Sequence, residues 1–149
     1  AQTLVRKDHP RIRFRGAMDM LEAQLLLCGP ETEEILELAR RLIRCDVLEE
    51  PVKSEKLCGL TQKELRERSH RPQDFYGQPH FMPEATDGET ILRLNRCRCA
   101  VREAELKAVA AFTDREGNPT RIDLLQAMNR LSSMIYILMI KLKSQSGRD

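Results

Sequence analysis

Residues 120–143 read TRIDLLQAMNRLSSMIYILMIKLK, a stretch without glycine or proline that begins just after a Gly117-Asn118-Pro119 break. The spacing predicts a helix from about Thr120 to Lys143. Its second half, MIYILMIKL, is apolar on nearly every side of a helical wheel, so such a helix must be covered from several directions, by its own bundle and by a second subunit. The uncharged run from Leu131 to Ile140 has ten residues, far below the roughly 20 needed to span a bilayer. It is core or interface, and no membrane partner is expected.

Working outward, four more helical segments surround this one. Ile12, Phe14, Ala17, Met18, Leu21, Leu25 and Cys28 recur at three- and four-residue intervals between Pro10 and Gly29-Pro30. Ile35, Leu38, Ala39, Leu42 and Ile43 form the face of a second helix closed by Pro51. The stretch TQKELRERS opens on a capping box, Thr61 with Glu64, and is too short to supply much core. Asp87 or Thr86 can cap a longer helix that runs to about Phe112, with Ile91, Leu94, Ala104, Ala108 and Ala111 available for packing. Between these two, residues 71–86 hold three prolines, no helical period and Phe75, Tyr76 and Phe81, half of the aromatic residues of the chain. A long aromatic loop inside a compact domain is usually functional. Residues 1–9 form a polar N-terminal arm, and the whole of 1–149 reads as one helical domain.

Composition agrees. The 149 residues are 41% hydrophobic and 32% charged, with mean hydropathy −0.48, which suits one soluble domain. Leu, at 20, outnumbers Ile plus Val, at 13, and aromatics are scarce, so the core is built from helix formers rather than from residues that suit a pleated sheet. The expected fold is all-α, a bundle of about five helices. A formal net charge of +2 is too small for a general nucleic-acid binder. Five cysteines, an odd number, with Cys28, Cys45 and Cys58 in or beside apolar helical stretches and no signal peptide, predict reduced thiols in a cytoplasm.

Several polar groups could carry chemistry. Arg98, Arg102 and Glu105, with Asn95 a turn before, lie on one stripe of the fourth helix, a guanidinium fork suited to phosphate oxygens or else a solvated ion-paired face. Asn129, Ser132, Ser133 and Tyr136 share a face at the entrance to the apolar run, where they either bond neighbouring helices or line a site. Asp19 and Glu22, one turn apart, could receive an arginine from another helix. Cys97 and Cys99 point to different sides of a helix and no second Cys or His pair stands at a ligand spacing, so no metal site is expected. His9, His70 and His80 read as structural or exposed, although His70 and His80 share the aromatic loop with Glu84. No dinucleotide or P-loop glycine string is present.

The pieces DHPRIRFRGAMD, RSHRPQDFYGQPHFMPEATDG, RCRCAVREAELKAVAAF and RIDLLQAMNRLSS, in this order and spacing, resemble the ethanolamine-utilisation type of ATP:cob(I)alamin adenosyltransferase, from about Asp8 to Lys143. The resemblance implies an oligomeric helical bundle, a trimer or a dimer, that transfers the 5′-deoxyadenosyl group of ATP to cob(I)alamin and releases triphosphate. It implies ATP, cobalamin and Mg2+ on the phosphates as ligands. A reductase and ethanolamine ammonia-lyase are the implied partners, in a bacterial cytoplasm and in association with a microcompartment. Arg98 and Arg102 match the family's polyphosphate-holding arginines, Glu105 the acidic position one turn on, and Asn129 a nucleotide-contacting Asn. Asp19 matches an acidic residue that pairs with the first arginine, here Arg98, across a subunit boundary.

Phe75, Tyr76 and Phe81 would supply an apolar wedge on the corrin side. The Thr-, Lys- and Gly-rich N-terminal nucleotide loop of the related propanediol-utilisation type is absent, and Thr3, Arg6, Lys7, Arg11 and Arg13 are the residues that could replace its phosphate contacts. Ser133 stands where the related motif ends in Asp. A Cys/His metal motif, with its transition metal, is expected in a segment before Ala1. Two alternatives of other classes are a non-catalytic helical module that binds a corrinoid or a partner, and a purely structural bundle.

Overall fold

The computed structural model describes residues 9–146, so the arm, apart from His9, and with it Lys7, lies outside the described residues. Six α-helices are present among them: α1 Pro10–Leu26, α2 Glu33–Leu48, α3 Gln62–His70, α4 Pro72–Tyr76, α5 Glu89–Ala111 and α6 Ile122–Ser146. Short 3-10 turns at Pro30–Thr32 and Ala85–Asp87 lead into α2 and α5. There is no strand among the described residues, only isolated backbone pairs. The expected all-α bundle is the observed one.

Each helix begins and ends for a local reason. His9 caps α1 by accepting the Arg11 amide on Nδ1 at 3.1 Å, with Pro10 in the first turn where its missing N–H costs nothing. Phe14, Met18, Leu21 and Leu25 then form its buried stripe. The capping box of α3 is present as read, Thr61 Oγ1 accepting from the Glu64 amide and the Glu64 carboxylate accepting from the Thr61 amide, each at 3.1 Å. Leu65 is the one core residue α3 contributes. The start of α5 differs from expectation, because Gly88, at φ 95°, is its N-cap while Asp87 turns back to accept the Glu84 amide.

Four helices make the bundle: α1 packs on α2 and α5, and α6 on α5 and α2. Phe14 meets Phe112 edge-to-face at one end of the α1/α5 pair, and Cys28 meets Cys97 at the other, so the two helices run antiparallel. On the outside of α6 lie α3 and α4. This corrects one expectation: α6 is covered on its several faces within the chain, with Leu131, Ile135, Ile137, Met139 and Ile140 all fully buried, and needs no second subunit for that. Apart from Ile122 at the start of α6, the exposed large apolar side chains lie outside it, among them Met20 and Leu27 in and just beyond α1 and Leu106 and Val109 in α5.

A second correction concerns residues 71–86, which are not loop throughout. Pro72 supplies a fixed φ at the first position of α4, a five-residue helix ended by Gly77 at φ 66°. Only Pro72 is buried in it, so no periodic pattern announced it.

The chain between α2 and α3 is a strap tied down by side chains. Asp123 accepts the Val52 amide at 2.8 Å, and Arg121 and Arg130 donate to the carbonyls of Glu50 and Glu55, each at 2.6 Å. Arg130 is 3% exposed, and its Nε has no partner among the described residues. Its role is therefore structural, and burial pulls its pKa below the usual guanidinium range.

Candidate active site

The face shared by α5 and α6 collects the polar residues that the sequence singled out. On α5, Arg98 is half-buried and donates from Nε to the Asn95 side chain at 3.0 Å, while Arg102 is exposed one turn further. Neither guanidinium has a carboxylate within ion-pair distance among the described residues, whereas Arg11, Arg15, Arg40, Arg41, Arg93 and Arg121 each have one. Two unneutralised cations four residues apart on one helix face attract a polyanion.

Glu105 completes the stripe one turn on and is half-buried. Burial raises its pKa above the ordinary carboxylate value, with the Ser132 hydroxyl of α6 and the Arg102 guanidinium pulling the other way. Ser132 therefore belongs to the α5 side of α6. Ser133 faces the opposite neighbour, its hydroxyl 3.4 Å from that of Ser69 in α3. The polar face expected at the head of α6 is thus divided between two partners. Asn129 lies one turn before Ser132 and is exposed, free to meet a ligand on the arginine side.

Level with Arg98, the loop after α4 folds over the same face. The His80 Nε2 donates to the His70 carbonyl at 2.9 Å, so Nδ1 accepts the Tyr136 hydroxyl at 2.6 Å, and the two rings stack with centroids 5.5 Å apart. Burial raises the Tyr136 pKa, which the Phe81 amide and Arg98 oppose, so the phenol keeps its proton and donates it to His80. Spacing did not reveal His80 as the clasp of this loop. The one signal available was that His70, His80 and an α6 tyrosine each needed a polar partner.

The other expected site residues are dispersed. Arg11 donates from Nε to Asp46 at 2.9 Å and from Nη2 to the Asp46 carbonyl at 2.8 Å, and Arg15 donates from Nε to the same carboxylate at 2.7 Å. Arg13 is exposed on another side of α1. Glu22 takes Arg40 of α2 at 2.8 Å, whereas Asp19 is exposed and hydrogen-bonds to nothing among the described residues. The antiparallel pairing sets Asp19 level with Leu106, about 12 Å along the axis from Arg98, so the two do not pair inside one chain.

Nor do the three aromatics form one cluster. Phe75 and Tyr76 share an open cleft of about 400 Å³ with Lys141 and Ser144, the Arg68 guanidinium lying 5.2 Å and 6.0 Å from their ring centres. Phe81 packs instead, with Tyr136, against the buried cluster of Ile91, Leu94 and Met139, under Lys143. Phe75 alone is exposed, at 40%. Among the described residues no three His, Cys, Asp or Glu side chains gather in a way that could hold a metal ion. No helix among them is long and apolar enough to cross a membrane.

A helical bundle with a bare arginine pair beside Asn129 and a clasped aromatic loop is what the comparisons with known proteins bear on. Residues 1–142 match the family model described as Cobalamin adenosyltransferase, and the chain belongs to that family. It is 36% identical to a protein named Corrinoid adenosyltransferase EutT from Salmonella typhimurium, and equally to its namesake from Escherichia coli K12, over 148 aligned residues covering 94% of this chain. The chain spans 55% of the length of these relatives. No solved structure matches it.

Proposed function

We propose that this chain is the adenosyl-transferring core of a corrinoid adenosyltransferase that uses ATP and cob(I)alamin in ethanolamine utilisation. The observation that carries the proposal is the Arg98–Arg102 pair, two guanidiniums with no carboxylate within ion-pair distance among the described residues, on a face that also presents Asn129. Family membership and the EutT relatives support the corrinoid as the acceptor.

In this reading the cobalt of cob(I)alamin, already a strong nucleophile, attacks C5′ of ATP. The cobalt–carbon bond forms, the C5′–O5′ bond breaks, and triphosphate departs with the electron pair. The protein's work is then to position the two reactants and to stabilise the charge that grows on the leaving group. Arg98 and Arg102 clamp the triphosphate. Asn129 orients the nucleotide, and Glu105, tuned by burial, steadies Arg102 and Ser132. Mg2+, with no carboxylate cluster to hold it among the described residues, would arrive on the phosphate oxygens. Arg11 is assigned to the fold, its donors being engaged by Asp46. Phe75, exposed at the cleft of α4, is the aromatic best placed to meet the corrin, with Tyr76 and Phe81 holding the loop beneath it.

Asp19, free in the single chain, pairs in this reading with Arg98 of a second copy. The exposed Met20, Leu27, Leu106 and Val109 on α1 and α5 supply the apolar surface for that contact. A reductase and the ammonia-lyase as partners, and a microcompartment in the bacterial cytoplasm as the setting, follow from the proposed pathway.

Binding tests the clamp without chemistry. Inorganic triphosphate or MgATP should raise the melting temperature of the chain, and Arg102→Ala should remove most of that rise while its own ligand-free melting temperature stays near wild type. A triphosphate response unchanged in Arg102→Ala would refute the clamp.

A further inference from the structure

Cys28 and Cys97 take no part in the proposed transfer. Cys28 sits just beyond the end of α1, half-buried, with Sγ 3.5 Å from the Gln24 carbonyl. Cys97 is fully buried in α5. Their sulfurs lie 3.3 Å apart, in van der Waals contact, against roughly 2.05 Å in a disulfide. A second observation concerns access. Cys28 lines a cavity of about 300 Å³ walled by Leu94, Leu138, Leu142 and Lys141, so a small reagent can reach it from solvent, whereas Cys97 lies behind it.

We propose that Cys28 and Cys97 are an oxidisable dithiol, a modification site at which a small peroxide closes a reversible disulfide between α1 and α5. The Cys28 thiolate attacks one oxygen of hydrogen peroxide, the O–O bond breaks, and hydroxide leaves a sulfenic acid on Cys28. The Cys97 sulfur then displaces the sulfenic hydroxyl, the S–S bond forms, and the thiol proton leaves with the oxygen as water. Two thiols are oxidised and one peroxide is reduced to two waters. A small dithiol reductant reverses the change. Burial, together with the contact with Cys28, pushes the Cys97 thiol well up, in keeping with Cys28 as the attacking sulfur. The crosslink ties the far end of α1 to the residue beside Arg98. The inference does not rest on the proposed function, because its readout is the state of the thiols.

The test is a peptide map of the purified chain after treatment with stoichiometric hydrogen peroxide and alkylation of the remaining thiols. The expected result is a linked pair of peptides bearing Cys28 and Cys97, absent after dithiothreitol, with Cys45 and Cys58 alkylated and a raised melting temperature without reductant. In Cys97→Ser the link is lost and dimedone traps a sulfenic acid on Cys28. The proposal is overturned if Cys28 and Cys97 are both recovered alkylated from oxidised protein, or if the link runs to the exposed Cys99 instead. The map of the unaltered chain decides between these results even where the variant folds poorly.

Discussion

Glu105 shows how one side chain can be read in two ways that a titration separates. Its pKa is raised by burial, so the folded chain holds that proton more tightly than the unfolded one. The stability it contributes is complete below the ordinary carboxylate value near 4.5 and is lost as pH rises through the raised value. Glu105→Gln should therefore melt above the wild type at pH 7, with the gap closing toward pH 4. A lower melting temperature at pH 7 would mean that the carboxylate stabilises the fold through Arg102. Asp46 is a fully buried carboxylate that receives Arg11 and Arg15. Asp46→Ala should cost about 3 kcal/mol in urea denaturation, the low end for a broken buried pair because both arginines can rehydrate.

Elements differ in how plainly the sequence announces them. The 3.6-residue stripes of α1, α2, α5 and α6, the Thr61–Glu64 box and the Gly-Pro breaks are local signals, and each is found where it was read. What was hidden is contact between residues far apart in sequence. Arg15 and Asp46 are 31 residues apart, His80 and Tyr136 are 56 apart, and nothing in the spacing of either member points to the other. The short α4 was missed because five residues with one buried member cannot show a period. The Arg98–Arg102–Glu105 stripe was legible as a stripe, and the absence of an ion pair on either arginine among the described residues needed the fold.

The tie between α6 and the strap gives an element-scale prediction. Asp123 is held at a pKa of about 2 by its bond to Arg121, helped by the Val52 and Leu124 amides. Its contribution is present above 3.8 and is lost as pH falls toward 2. Asp123→Asn should cost about 1–2 kcal/mol at pH 7 and nearly nothing at pH 2, as measured by urea denaturation at the two values. An equal loss at both would mean that the carboxylate's charge is irrelevant to the tie.

At the scale of the molecule, the helices divide their labour. The apolar α6 is enclosed by α2, α3, α4 and α5 and forms the centre, while α1 and α5 turn Asp19, Arg102 and a row of exposed apolar side chains outward. If nucleotide is bound between copies, Leu106→Glu should convert the sedimenting species to monomer and lower turnover, leaving the melting transition near that of the wild type because Leu106 is 66% exposed. Unchanged sedimentation would place the contact elsewhere. The central claim is adenosyl transfer by the arginine pair, and it is tested most directly under anaerobic conditions. Purified chain is mixed with chemically reduced cob(I)alamin and MgATP, and the absorbance change of cobalt–carbon bond formation is followed beside Arg102→Ala. Turnover is expected from the chain, with a loss of about 10²-fold or more in the variant and corrinoid binding retained; equal rates in the two proteins, or corrinoid binding without any turnover, would contradict transfer by the arginine pair.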